Sequence, residues 1–275
     1  METVSQGALG SVVSLWRYPV KSMMGEELNR SDVTNRGLLG DRAYALVDPL
    51  NGKVVSAKNP RKWPNLFDFR AAFPEPPRAG EPLPPLRITL PDGTMLGSDD
   101  SDCEQKVSGV LGREVTLESS ARETPSLEEY WPDMEGLDYR ETVTDEAMRA
   151  GTFFDLAVIH VLTTATIDRL RELYPQGRFE VRRFRPNLVI EPSSDETDFV
   201  ENGWIGRTIA IGDEVRMKIT QPCSRCVMTT LPQGDLPKDP GILRTAAQHN
   251  NVHVGVYASV LGGGSIRRGD EVRLE

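Results

Sequence analysis

Apolar and polar positions along this chain change rhythm every few residues, and that rhythm predicts short strands joined by turns. Ser11 to Val20 (SVVSLWRYPV) reads as a first strand. Arg42 to Val47 and Lys53 to Ala57 flank Asp48-Pro49-Leu50-Asn51-Gly52, whose Asn-Gly step suits a hairpin turn. Leu86 to Leu90 and Thr94 to Leu96 flank Pro91-Asp92-Gly93 as a second hairpin. Asp99 to Leu111 predicts a short helix with an Asp or Ser cap and Gly112 closing it, followed by a strand from Val115 to Glu118. Ala157 to Leu162 (AVIHVL) is a continuous apolar run, as a buried strand requires. Thr163 or Thr164 then caps a helix to Tyr174, with Ile167, Leu170 and Leu173 on one face. A strand from Leu188 to Ile190 follows Arg185-Pro186-Asn187. Thr208 to Ile211 and Glu214 to Thr220 form a hairpin around Gly212-Asp213. A turn or two of helix over Gly241 to Gln248 precedes the last strands, His253 to Val260 and Ser265 to Leu274.

Two stretches break the rhythm. Pro74 to Pro85 holds six prolines in twelve residues, and proline cannot donate to a helix or sheet ladder, so it reads as a surface loop. Arg122 to Ala150 is charged, aromatic and weakly periodic, and reads as the crossover between two domains. The 275 residues suit two modest domains, and the 20 prolines and 24 glycines, spread along the chain, favour a β-rich fold.

Charge narrows the function. With 32 basic and 41 acidic residues the net charge is −9, so global steering toward nucleic acid or an anionic membrane is not expected. An anionic ligand must be captured by a local basic cluster. The opening residues carry neither a basic start nor an apolar run, so no signal peptide is expected. No segment approaches the roughly 18 apolar residues that a membrane span needs. Three cysteines cannot build a disulfide framework, and a reducing cytoplasm is the expected location.

Two of those three cysteines lie in Gln221-Pro222-Cys223-Ser224-Arg225-Cys226-Val227-Met228-Thr229-Thr230. A thiolate is the soft ligand a transition metal prefers, and a neighbouring guanidinium favours the ionised form. A structural zinc site would need two more ligands, and His160, His249 and His253 form no pattern that supplies them. A thioredoxin-like pair would open a helix, whereas this one follows a hairpin. Both cysteines also fit as small buried hydrophobes. Four further groups stand at strand ends. They are Lys21 and Ser22 in Tyr18-Pro19-Val20-Lys21-Ser22, Arg42 in Gly37-Leu38-Leu39-Gly40-Asp41-Arg42, the cluster Arg182-Arg183-Phe184-Arg185-Pro186-Asn187, and Arg225. Each alone suits a solvated surface. Together they place phosphate donors at strand ends of an acidic protein.

These motifs resemble the MOSC family, the domain named for the C-terminal part of molybdenum cofactor sulfurase, preceded by its N-terminal β-barrel domain. Within that family the resemblance is to the mitochondrial amidoxime reducing component and its bacterial relatives. It is carried by Tyr18-Pro19-Val20-Lys21-Ser22, Gly37-Leu38 with Asp41-Arg42, Asp155, Phe184-Arg185-Pro186-Asn187, Cys223-Ser224-Arg225-Cys226 with Thr229-Thr230, and Gly269-Asp270, in family order and nearly end to end. It implies a β-rich α+β fold, with an N-terminal β-barrel-like domain over residues 1–125 and a MOSC β-barrel domain with a few short helices over 126–275. It also implies molybdenum cofactor, the molybdopterin complex of the metal. By this resemblance Cys226 ligates molybdenum, and Lys21, Ser22 and Arg42 hold the phosphate and pterin. Arg185, Asn187, Ser224 and Arg225 supply further cofactor contacts, and Asp155 is an acidic residue near the metal. Cys223 then packs behind the ligand. Leu156 and Ala157 stand where the mitochondrial proteins carry Thr and Ser hydroxyls, a loss that Thr163, Thr164 or Thr166 would have to make good.

The function implied is an oxidoreductase that removes oxygen from N-hydroxylated small molecules such as amidoximes, with Cys226 and Asp155 as its catalytic groups. Asp155 would serve as proton donor or orienting carboxylate. The chain has no haem motif, flavin or NAD fingerprint, or ferredoxin-type cysteine cluster, so electrons are expected from a separate partner of ferredoxin, flavodoxin or cytochrome type. The same pocket would also serve a non-catalytic cofactor carrier, or a sulfur-transfer protein with a persulfide on Cys226.

Overall fold

The computed structural model describes residues 7–135, 139–193 and 198–275. Seven strands close into a barrel. Ala8–Arg17 pairs with Leu188–Pro192, then come Ile159–Thr163, His253–Gly262, Val215–Ser224, Thr208–Ile211 and Glu271–Leu274, which returns to Ala8–Arg17. Glu26–Leu28 adds to the free flank of Ala8–Arg17. Val215–Ser224 shows why these residues make a barrel wall, since buried Val215, Met217 and Ile219 alternate with half-buried Arg216 and Lys218. The barrel core, with Leu15, Ile159, Val161, Leu188, Ile209, Met217 and Val256 among its members, is closed to solvent.

Only the pairing of Ile159–Thr163 with Leu188–Pro192 is parallel among the barrel strands. A parallel pair needs a crossover, and here it runs through helix Thr164–Leu173 and the one-turn helix Val181–Phe184. Thr163 caps the longer helix by accepting the Thr166 amide, as its position predicts. The crossover returns to the barrel through Arg185-Pro186-Asn187, which fixes those three residues at one barrel end.

The remaining N-terminal residues build small antiparallel sheets around a second core that includes Val20, Met23, Leu46, Trp63, Phe67, Phe69, Ile88 and Leu96. Helix Cys103–Leu111 lays Cys103 and Val107 on that core and ends at Gly112, whose φ of 64° suits glycine. The two halves interlock. The first strand belongs to the barrel that the C-terminal half builds, and Gly264–Arg267 crosses back to pair with Arg30–Thr34.

Several local expectations need correction. Lys53 to Ala57 forms no strand, only isolated bridges from Val54 to Val47 and to Leu127, and Ser265 to Leu274 is divided between two strands, Gly264–Arg267 and Glu271–Leu274. The stretch Arg122 to Ala150 is not a plain crossover but contains a hairpin, Ser126–Trp131 against Thr142–Ala147. The strand expected from Arg42 is only Ala45–Val47, because Arg42 adopts a positive φ of 47° that a strand cannot continue through. The architecture is otherwise the expected one, mostly strands with a closed barrel and four short α-helices among the described residues.

Candidate functional site

A cleft opens between the barrel end and the N-terminal core. Lys21, Ser22, Arg42, Asp155, Arg185, Asn187, Ser224, Arg225 and Cys226, all singled out from sequence, line it together. The first strand delivers Tyr18–Ser22, locked to the next segment by the Lys21 amide on Tyr44 O and the Arg42 amide on Tyr18 O, both at 2.9 Å. The strand Val215–Ser224 ends at the cleft and hands on to Arg225 and Cys226.

The backbone is held in costly shapes at this point. Ser22, Arg42 and Arg185 have φ values of 65°, 47° and 54°. The left-handed region costs a non-glycine residue about 1–2 kcal/mol, so the surrounding hydrogen bonds must fix each turn. Arg185 takes the left-handed C-cap place of its one-turn helix, where glycine is usual, and its amide bonds Val181 O.

Asp41 is the hub behind the cations. Its side chain accepts from the Tyr18 amide at 2.7 Å, Asn187 Nδ2 at 2.9 Å and Arg42 Nη1 at 2.5 Å. Asn187 thus serves as a brace, and its Oδ1 accepts the His160 amide at 3.1 Å. Arg185 stacks over the Tyr18 ring with 4.1 Å to the centroid and donates from Nη1 to Met23 O at 2.7 Å. Among the described residues the rest of its fork meets no acceptor. Burial, with Arg42 and Arg225 adding to it, lowers its pKa to about 10, which leaves a cation short of counter-charge.

Asp155 is clamped by two lysines. Lys21 Nζ bonds Oδ1 and also reaches Phe153 O at 3.2 Å, while Lys58 Nζ approaches Oδ2 at 3.3 Å. Burial pushes the carboxyl up, but the two ammonium groups outweigh it and hold it below the usual carboxylate range. In this arrangement Asp155 is held in its ionised form and accepts from both lysines.

The cysteines separate. Cys223 has no exposed surface and accepts from Arg225 Nη1 at 2.7 Å. Burial acts to raise its pKa, yet Arg225 and His160 bring it down to about 6. Cys226 faces the cleft, and burial together with Glu129 pushes its thiol up to about 12. It is a neutral thiol here, and a metal binding it would displace the proton.

Sequence reading missed several lining residues. Lys58 is the most consequential, salt-bridged to Glu129 at 2.9 Å and to Asp155. Ser56, Leu127, Glu129, Trp131 and Glu146 also line the cleft. Thr163 and Thr166 do not replace the hydroxyls missing at Leu156 and Ala157, because both donate to the buried Glu201 at 2.7 Å. Thr164 does not line the cleft either, and the hydroxyl-bearing residues that do are Ser22, Ser56, Ser224 and Tyr257.

The donor set can be tested against a phosphorylated, metal-bearing ligand. Lys21, Arg42, Lys58, Arg185 and Arg225 face Glu129, Glu146 and Asp155, with Asp41 behind Arg42, so a cationic excess remains on a protein of net charge −9. Arg225 Nε is buried without a partner among the described residues. No group of three or more His, Cys, Asp or Glu among the described residues could cage a metal, and the cleft offers one thiol. A metal held here must bring most of its own ligands, together with an anion for the guanidinium groups. Molybdenum cofactor has both properties, and the residues fit it.

Comparison with known proteins agrees. The MOSC domain description matches residues 149–273, and the MOSC N-terminal beta barrel domain description matches residues 9–123. The chain belongs to the MOSC-domain proteins. Within that class it is similar to mitochondrial amidoxime-reducing component 1 of Mus musculus, at 26% identity over 81% of this chain and 66% of the mouse protein. Mitochondrial amidoxime reducing component 2 of Rattus norvegicus is 25% identical over 96% of this chain and 83% of its own length. Human molybdenum cofactor sulfurase is 26% identical over 92% of this chain, which spans only 30% of that protein. Among solved structures, the YuaD protein from Bacillus subtilis aligns over 96% of this chain and 94% of its own at 11% identity, with a TM-score of 0.48. No helix among the described residues is long and apolar enough to cross a membrane.

Proposed function

We propose that this protein is a molybdenum-cofactor-dependent reductase of N-hydroxylated small molecules. One observation carries the reading, the convergence of five cationic side chains and one thiol in a single cleft of an acidic protein. Lys21, Arg42, Arg185 and Arg225 would hold the phosphate and pterin, Arg185 and Arg225 with unfilled donors, and Cys226 would be the protein ligand to the metal. Ser22, Asn187 and Ser224 would complete the polar lining. The cofactor, when bound, supplies two-electron oxygen-atom-transfer chemistry. The net reaction takes an N-hydroxylated base, two electrons and two protons to the amine or amidine and water. Asp155 would keep Lys21 and Lys58 aimed into the cleft. Electrons would come from a separate ferredoxin-, flavodoxin- or cytochrome-type protein in the cytoplasm. Support comes from the similarity to the amidoxime-reducing components, whose names state that activity.

The test is reduction of benzamidoxime by protein produced in a host that makes the cofactor, with a chemical electron donor. Turnover that disappears in Cys226→Ser is expected. Cofactor-loaded protein that turns over no N-hydroxylated compound would overturn the reductase and leave a cofactor carrier.

A further inference from the structure

The hairpin Ser126–Trp131/Thr142–Ala147 is a wall with a cavity on each side. Side chains alternate along a strand, so Glu129 and Trp131 face the cofactor cleft while Tyr130 faces a second cavity of about 620 Å³. That volume is ordinary for a small-molecule site. Three buried rings, those of Trp63, Phe67 and Tyr130, line it. So do five prolines, Pro60, Pro64, Pro132, Pro232 and Pro240, whose fixed φ leaves little ordering to be done on binding. The two cavities share no lining residue. Phe67, with the Arg185 guanidinium 5.5 Å from its centroid, and Val227, next to Cys226, stand between them.

Charges at the mouth of the second cavity do not cancel. Arg61 lies over the Tyr130 ring, 3.9 Å from its centroid, and is held by Glu141 at 2.9 Å, while Arg140 holds Asp133 at 2.6 Å. Lys238, Arg244 and Asp68 also line the cavity, are exposed, and have no charged partner among the described residues. Two free cations thus face one free carboxylate, and cofactor binding gives neither cation a task. We infer that this cavity is a second ligand site, for a flat aromatic carboxylate. Stacking on the aromatic lining would hold its body, and Lys238 and Arg244 would take its carboxylate, Arg244 through its planar fork. An excess of one positive charge suits a monoanion better than a phosphate dianion. A neutral amide of the same shape would gain only the stacking.

The probes are 2-naphthoate and its neutral counterpart 2-naphthamide, titrated by calorimetry at low ionic strength into protein purified from a host that makes the cofactor. Wild type should bind 2-naphthoate about tenfold more tightly than 2-naphthamide, the scale of one charge-assisted contact. The double variant Lys238→Ala with Arg244→Ala changes only exposed side chains, so it should fold. It should erase the preference and leave 2-naphthamide affinity unchanged. Leu231→Trp, which fills the cavity, should weaken both probes. Pterin should stay bound throughout the titration, because the two cavities are separate. Equal binding of the two probes by wild type, binding of neither, an unchanged preference in the double variant, or release of pterin by 2-naphthoate overturns the inference. Failure of the reductase reading looks different, because benzamidoxime would go unreduced while the carboxylate preference and its loss in the double variant persisted.

Discussion

Arg183 and Arg185 lie two residues apart in one turn and occupy opposite kinds of site. Arg183 has no exposed surface, and its guanidinium donates to the backbone carbonyls of Arg178, Thr229, Leu231 and Pro237. Arg185, on the cleft side, has one protein acceptor and rests on the Tyr18 ring. A buried guanidinium that bonds through all three of its nitrogens, four hydrogen bonds in all, is a strut that ties the crossover to the segment after Cys226. One whose fork is mostly unfilled is a receptor for an anion. The two cysteines divide in the same way, with Cys223 engaged by Arg225 in the interior and Cys226 facing the cleft. Burial alone does not separate the two arginines, both of which are buried, and the number of satisfied hydrogen bonds does.

The sharpest break between receptor and strut is expected at the cysteines. Cys226→Ser should take reductase activity to background, because a hydroxyl is a hard and poorly ionised substitute for a thiolate. Cys223→Ser should keep most of it. Activity that survives at Cys226 and vanishes at Cys223 would reverse the assignment.

At the arginines the two classes should separate by assay. Arg183→Met leaves several buried carbonyls without donors and should cost about 3–5 kcal/mol of stability, read from urea unfolding. Arg185→Lys should change stability by less than about 1 kcal/mol, because few internal bonds are lost. It should instead weaken cofactor retention by about 1–3 kcal/mol, measured as pterin remaining after gel filtration, since lysine cannot offer the planar fork. A large stability loss in Arg185→Lys with pterin retained would make it a second strut.

The smallest effect concerns pH. The native pKa of Asp155 lies below its ordinary value, so the stability it contributes is fully present above about pH 5 and is lost as pH falls through that lowered value. The stability gap between wild type and Asp155→Asn should therefore narrow from about pH 5 down to about pH 2. A gap that stays constant over that window would mean that Lys21 and Lys58 do not depress the carboxyl.

Much of the barrel was legible, because inward positions such as Val215, Met217 and Ile219 alternate cleanly and Thr163 stands at a helix start. The cationic end of the cleft was legible for a related reason, since polar motifs at strand ends break that alternation. The hairpin wall was not. Glu129 and Trp131 face one cavity while Tyr130 faces another on the opposite side, so Ser126–Trp131 has no purely core or purely solvent face to impose a pattern. Lys58 was missed because its role depends on Glu129 and Asp155, which lie about a hundred residues or less along the chain but in different elements. The place of Ala8–Arg17 in the C-terminal barrel rests on pairings with Leu188–Pro192 and Glu271–Leu274, and nothing local to the strand encodes them.

The most direct measurement is the molybdenum and pterin content, per chain, of wild type, Arg183→Met and Arg185→Lys purified from a host that makes the cofactor. Molybdenum and pterin close to one per folded chain in wild type and in the folded fraction of Arg183→Met, with a marked loss in Arg185→Lys, is the predicted result. Wild-type protein free of both, from a host that fills a control molybdenum enzyme, would contradict the assignment of the cleft.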